Sequence, residues 1–250
     1  MPDTILALLD QPQNWWLILT VFVAGMVRGF TGFGTALIYV PIASIFLPPT
    51  IVIFTLIVMD FIGPVPLYPE AFRRWNKPEV MRMVAGSVVG VTLGVWLLTK
   101  MDPYVFRWVA SILVIIALIT IVSGWRYHGQ VGKRLPIAIG GVSGFFGGFS
   151  GIGGPPVILF YLGGQGRAET IRANILIFFL FGEVISLANF AARGLMTWQG
   201  FTLGLILVIP YLIGNVIGGQ GFKRYGENAF RPLAFVIIAA AALIGLPLFD

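Results

Sequence analysis

The chain has 250 residues, 58% of them hydrophobic and only 10% charged. A soluble domain carries about 25% charged residues, so too little charge is present to coat a water-facing surface. The absence of cysteine and the single histidine, His128, exclude disulfides, thiol catalysis, thiolate metal sites and histidine clusters. The formal charge of +6 comes from 16 Lys and Arg spread over short loops, a pattern of membrane topology rather than of nucleic-acid binding.

Eight hydrophobic elements follow one another: roughly 14–46, 50–68, 80–99, 104–125, 135–162, 170–192, 199–221 and 230–249. The first 13 residues carry Asp3 and Asp10 and lack a basic n-region, so no signal peptide is expected. Element 1 contains Arg28 and is interrupted by Gly29-Phe30-Thr31-Gly32-Phe33-Gly34. Element 2 carries Asp60 and element 3 the ladder Gly86, Gly90 and Gly94. Between elements 4 and 5 lies a basic loop with Arg126, His128, Lys133 and Arg134. Element 5 is interrupted by Gly148-Phe149-Ser150-Gly151-Ile152-Gly153-Gly154-Pro155-Pro156. Element 6 holds Asn174 near its start and Glu183 in its middle, and element 7 holds Gly214 and Gly218. Such ladders mean close helix packing inside a bundle more often than a dimer. Trp15, Trp16, Trp125 and Tyr127 fit interfacial belts.

The chain repeats itself. The glycine-rich interruption at Gly29–Gly34 lies over Gly148–Gly153 at an offset of 119. Gly90 and Gly94 lie over Gly214 and Gly218, and Phe106-Arg107 over Phe230-Arg231, at an offset of 124. An insertion near 163–166 accounts for the difference. The repeat divides the chain into membrane halves 1–128 and 129–250, each with four elements.

The basic residues then choose a topology. If all eight elements crossed, the loop cations would divide eight to seven, with no bias, against the positive-inside rule. If elements 1 and 5 dip in and return on the same side, twelve fall on the cytoplasmic face: Arg73, Arg74, Lys77, Arg82, Arg126, Lys133, Arg134, Arg167, Arg172, Lys223, Arg224 and Arg231. Three fall outside: Lys100, Arg107 and Arg193. Each half then makes an odd number of crossings, so the halves are inverted. The expected fold is an all-α integral membrane protein of two inverted repeats, with elements 1 and 5 as broken or re-entrant helical hairpins.

Irregular backbone at membrane depth is tolerated only where protein or a cavity surrounds it. The free N–H groups and dipole of a returning half-helix favour an anion there, and glycine lets that anion approach the main chain. The candidate substrate-binding residues are Arg28, Thr31, Gly32, Gly34, Thr35, Ser150, Gly151, Gly153, Gly154 and Asn174. Intramembrane carboxylates mark ion pathways, so Asp60 and Glu183 are the candidate ion-coupling pair.

The pair Gly-Phe-Thr-Gly-Phe-Gly with Val40-Pro41, and Gly-Phe-Ser-Gly-Ile-Gly-Gly-Pro-Pro, resembles the sulfite exporter TauE/SafE family over nearly the whole chain. Members carry a G-x-G-G-G-like motif near the start of each half. Here the first copy has Thr35 and Ala36 where further glycines are usual, and the second has prolines. The resemblance implies a secondary transporter of small sulfur-containing anions, sulfite or an organosulfonate such as sulfoacetate, in the cell inner (plasma) membrane. Helix ends give the preference for an anion independently; the sulfur comes only from the resemblance.

The expected partners are the small anion, the lipid bilayer and a coupling proton or sodium ion, with a homodimer left open. No cofactor, metal or nucleic acid is expected. The alternatives are an anion channel, or a cation- or proton-coupled transporter of another small solute built on Asp60 and Glu183. Gly148-Phe149-Ser150-Gly151 resembles the Gly-x-Ser-Gly of rhomboid intramembrane proteases. A serine nucleophile needs a base within reach, however, and His128 is placed in a surface loop. No enzyme is expected.

Overall fold

A computed structural model of the chain describes residues 12–123, 132, 134–162, 167–225 and 227–248. Arg126, His128 and the insertion at 163–166 lie outside the described residues. All regular structure among the described residues is helical: α1 (Pro12–Thr31), α2 (Thr35–Phe46), α3 (Pro49–Ile62), a 3₁₀ turn (Val65–Leu67), α4 (Tyr68–Arg74), α5 (Lys77–Leu98), α6 (Pro103–Val122), α7 (Leu135–Ser150), α8 (Gly154–Leu162), α9 (Ala168–Ala192), α10 (Trp198–Tyr225) and α11 (Glu227–Gly245). Among the described residues, five stretches are long and apolar enough to cross a membrane: Pro49–Arg74, Lys77–Leu98, Pro103–Val122, Ala168–Ala192 and Trp198–Gly221.

Local chemistry sets the boundaries. The Asn76 side chain accepts the Glu79 N–H at the start of α5, with Pro78 in the first turn. Asp102 Oδ1 accepts the Tyr104 N–H (2.8 Å) at the start of α6. Elements 1 and 5 are each broken where the glycines stand. Helix α1 gives way at Gly32 (φ +80°) and α2 starts after Gly34 (φ +105°), both in the left-handed region closed to most L-residues. Helix α7 ends on Gly151 (φ +72°), whose N–H reaches Gly147 O at 2.9 Å. Element 2 lies within the span Pro49–Arg74, but its helix is interrupted. Helix α3 stops at Ile62, because Pro64 follows Gly63, and the chain turns into α4.

The chain forms two compact units: Met1–Met59 with Asp102–Leu118 and Thr197–Asp250, and Asp60–Met101 with Ile119–Met196. The first unit holds element 1 with element 7, and the second holds element 5 with element 3. In the first unit, α1 packs backbone to backbone on α10. In the second, α7 does the same with α5. A Cβ added at Gly25 would run into the Tyr211 carbonyl, and one at Gly29 into that of Asn215. A Cβ at Gly144 would lie 2.8 Å from Ser87 Cα, and one at Gly148 2.6 Å from Val91 O. Those contacts correspond at the sequence offsets: Gly25 and Gly29 with Gly144 and Gly148, and Tyr211 and Asn215 with Ser87 and Val91. The ladder glycines face the other way across the same seams, Gly90 toward Gly141 and Phe145, Gly214 toward Phe22 and Met26. The ladders therefore pack inside the chain, where small residues let helix axes approach.

Candidate functional site

In the first unit, the break brings Arg28 to the start of α2. Arg28 stands in the last turn of α1 and is half-buried. Its Nη1 donates to Thr35 Oγ1 (3.2 Å), and its guanidinium lies 5.9 Å above the centre of the Tyr211 ring. Thr35 is 1% exposed and is the first residue of α2. Thr31 stitches the break itself. Its hydroxyl donates to Val27 O (2.8 Å) or Phe33 O (2.5 Å) and accepts the Phe33 N–H (3.2 Å). No side chain caps α2, so the first-turn amides Gly34 to Leu37 lack intrahelical acceptors. Space is open beside Gly32, where an added Cβ would meet nothing within 4 Å. A guanidinium and an uncapped helix N-terminus thus meet at the break, beside an exposed glycine, which suits a small oxyanion.

The second break is a different kind of end. Ser150 Oγ donates to Phe146 O (2.9 Å), within its own helix. Ser143 Oγ donates to Gly153 O (2.5 Å) and ties the turn back to α7. Gly154 opens α8, and the next two residues, Pro155 and Pro156, have no N–H to offer. The repeat position of Arg28 is Gly147 and that of Thr35 is Gly154. The two breaks share a backbone plan but not a donor set.

Asn174 stands elsewhere in the second unit. It is 2% exposed, accepts the Asn76 N–H on Oδ1 (2.6 Å) and donates from Nδ2 to Glu79 Oε1 (3.2 Å). The same Glu79 oxygen accepts the Tyr161 hydroxyl (2.7 Å). Tyr161 lies near the end of α8, about 10 Å along that helix from Gly154 at 1.5 Å per residue. Asn174 therefore joins the corner of α5, α8 and α9. Nearby, Arg74 pairs with Glu169 and with Glu70 (3.2 Å). Asp60, in the last turn of α3, and Glu183, in the middle of α9, are both half-buried, and each has interaction partners.

Three of these partners escaped the sequence reading. Tyr211 falls on the Gly214 ladder helix and looks like packing until α1 is laid on it. Glu79 belongs to the readable cap Asn76-Lys77-Pro78-Glu79, but a cap motif does not say that the carboxylate gathers Tyr161 and Asn174. Ser143 looks like one more small residue on a helix face.

Apolar spans, short broken helices and a donor-rich break define a multi-pass helical membrane protein with discontinuous elements. The chain matches the family model of the sulfite exporter TauE/SafE over residues 17–244 of 250 and belongs to that family. The family is one of membrane transporters for sulfite and related sulfur anions, not of enzymes. Comparisons with curated proteins and with solved structures gave no match.

Proposed function

We propose that this chain is a secondary transporter of sulfite or an organosulfonate such as sulfoacetate, working by alternating access in the cell inner membrane. The anion is held at the first break by Arg28, by Thr35 and by the amides around Gly34, with Gly32 leaving room for it. The second break, with Ser150, Gly151, Gly153 and Gly154, is the structural counterpart in the other half and contributes fewer donors. The observation that carries the reading is the Arg28 guanidinium bonded to the first residue of an uncapped helix at the break.

The proposed topology is an inverted repeat with re-entrant elements 1 and 5. Contacts within each unit support it. Tyr104 Oη reaches Pro247 O (3.4 Å), Arg74 pairs with Glu169, and Gly200 abuts the Phe54 ring. If all eight elements crossed, the members of each pair would sit on opposite faces of a hydrocarbon layer about 30 Å thick. With elements 1 and 5 re-entrant, each pair shares a face, and the cation bias follows the positive-inside rule. The cysteine-free chain offers a direct check. Single substitutions Arg134→Cys and Arg167→Cys flank element 5 and are expected to react with an impermeant thiol reagent from the same side of the membrane. Labelling from opposite sides would refute the hairpin.

Substrate is identified by thermal stabilisation of the purified protein with sulfite, sulfoacetate, taurine, thiosulfate, sulfate or sodium. The expected result is a rise in Tm with sulfite or a sulfonate; stabilisation by sodium alone removes the anion reading. Saturable counterflow in liposomes distinguishes a carrier from a channel. In the same vesicles, Asp60→Asn and Glu183→Gln are expected to abolish pH-dependent accumulation while sparing exchange. Normal uphill transport in either variant clears that carboxylate of coupling.

A further inference from the structure

Hydroxyls in these helices usually turn back on their own backbone: Thr55 Oγ1 donates to Ile51 O (2.9 Å), Ser87 Oγ to Val84 O (2.8 Å) and Ser150 Oγ to Phe146 O (2.9 Å). Ser111, in the middle of α6, departs from this. It is 0% exposed, and its Oγ has no hydrogen-bond partner. A buried hydroxyl left without a partner opposes folding, and native structures rarely keep one. One turn toward the start of the same helix stands Arg107, which the i, i+4 spacing places on the same face.

The position of Ser111 within the first unit gives the hydroxyl a use. Near one end of that unit, Tyr104 at the start of α6 touches Pro247 just beyond α11, and Gly245 at the end of α11 abuts Pro41 of α2. From Tyr104 inward to Ser111 is seven residues, about 10 Å of helix. From Pro41 back to Thr35 at the break is six residues, about 9 Å. Ser111 and the donor-rich start of α2 therefore lie at similar depth from the same end of one unit, with Arg107 nearer that end. The repeat position of Ser111 is Phe235, so this hydroxyl belongs to the first half only, as do Arg28 and Thr35.

We infer that Ser111, with Arg107 one turn nearer the membrane face, forms a second contact site for the transported oxyanion, at the depth of the first break. The hydroxyl donates to an anion oxygen and Arg107 supplies the charge. The site rests on the proposed transport of a sulfur oxyanion, and it explains why an unpartnered hydroxyl is kept in an apolar helix.

The test is a titration of purified protein with sulfite, read by thermal stabilisation. In Ser111→Ala, the sulfite-free protein is expected to melt no lower than wild type, because an unsatisfied group has been removed. Its apparent affinity for sulfite is expected to fall about tenfold, the size of one hydrogen bond to a charged group. Wild type that binds sulfite together with an Ser111→Ala variant that binds it within twofold as well overturns this site alone. Wild type that shows no response to any of the anions sinks the transport reading and this site with it. If Ser111→Ala does not fold, Ser111→Thr and Ser111→Val form a pair of like shape that differ in the hydroxyl. Threonine is expected to retain sulfite binding and valine to lose it; equal affinities overturn the proposal.

Discussion

Replacing Arg28 by alanine is expected to weaken binding of the transported anion ten- to a hundredfold without unfolding the protein. Hydrogen bonds to charged groups contribute roughly 1.5–3 kcal/mol, and every 1.4 kcal/mol is about a factor of ten in affinity. Arg28 qualifies because it stands at the break rather than along a lipid-facing helix. Its guanidinium holds Thr35 Oγ1, in the first residue of an uncapped helix, and lies over Tyr211. Arg28→Lys keeps the charge but loses the planar fork and the stacking on tyrosine, so an intermediate loss is expected. The measurement is the sulfite or sulfonate midpoint in a thermal-shift titration, with uptake into liposomes as the functional counterpart. An alanine variant with wild-type affinity would show that the guanidinium only braces the turn.

The second large effect is structural. Gly29→Ala and Gly148→Ala each place a methyl group against a backbone carbonyl of the neighbouring helix, Asn215 in one unit and Val91 in the other. A carbonyl on a helix does not step aside as a flexible side chain would, so the two axes must separate along the whole seam. Overpacked cores lose about 1–3 kcal/mol and occasionally more, and these positions belong at the upper end, about 3 kcal/mol. Both variants are expected to melt well below wild type in detergent and to elute partly as aggregate. Gly182→Ala is the control. An added Cβ there meets nothing within 4 Å, and alanine is the better helix former by about 1 kcal/mol, so no loss is expected. Wild-type melting of both seam variants would mean that the helices do not approach as closely as their glycines imply.

The equal register of the two seams links these predictions. Gly29 and Gly148 meet Asn215 and Val91 at matching sequence offsets, and the tighter approach at Gly29 makes its substitution the costlier of the two. The breaks beside those seams are not equal in chemistry. Arg28, Thr35 and Ser111 have Gly147, Gly154 and Phe235 as counterparts, and Pro155 and Pro156 remove amides from the second helix start. Symmetry was kept where backbones pack and lost where donors are displayed.

Membrane class, the two breaks and the existence of the ladders could be read from the chain because each rests on local properties. Apolar length decides insertion, and glycine and proline decide where a helix stops whatever surrounds it. Arg28 stood out as a candidate for the same reason, as a charge directly before the glycine-rich interruption is costly wherever the element lies. The partner of each ladder was not legible. A run of glycines says that some backbone comes close, and only the packed chain decides that α1 lies on α10 and α7 on α5. Packing likewise put Tyr211 under Arg28, drew Asn174 and Tyr161 onto Glu79, and left the hydroxyl of Ser111 without a partner. Those contacts join residues 82 to 183 positions apart or depend on what covers a helix face, and no local preference encodes them.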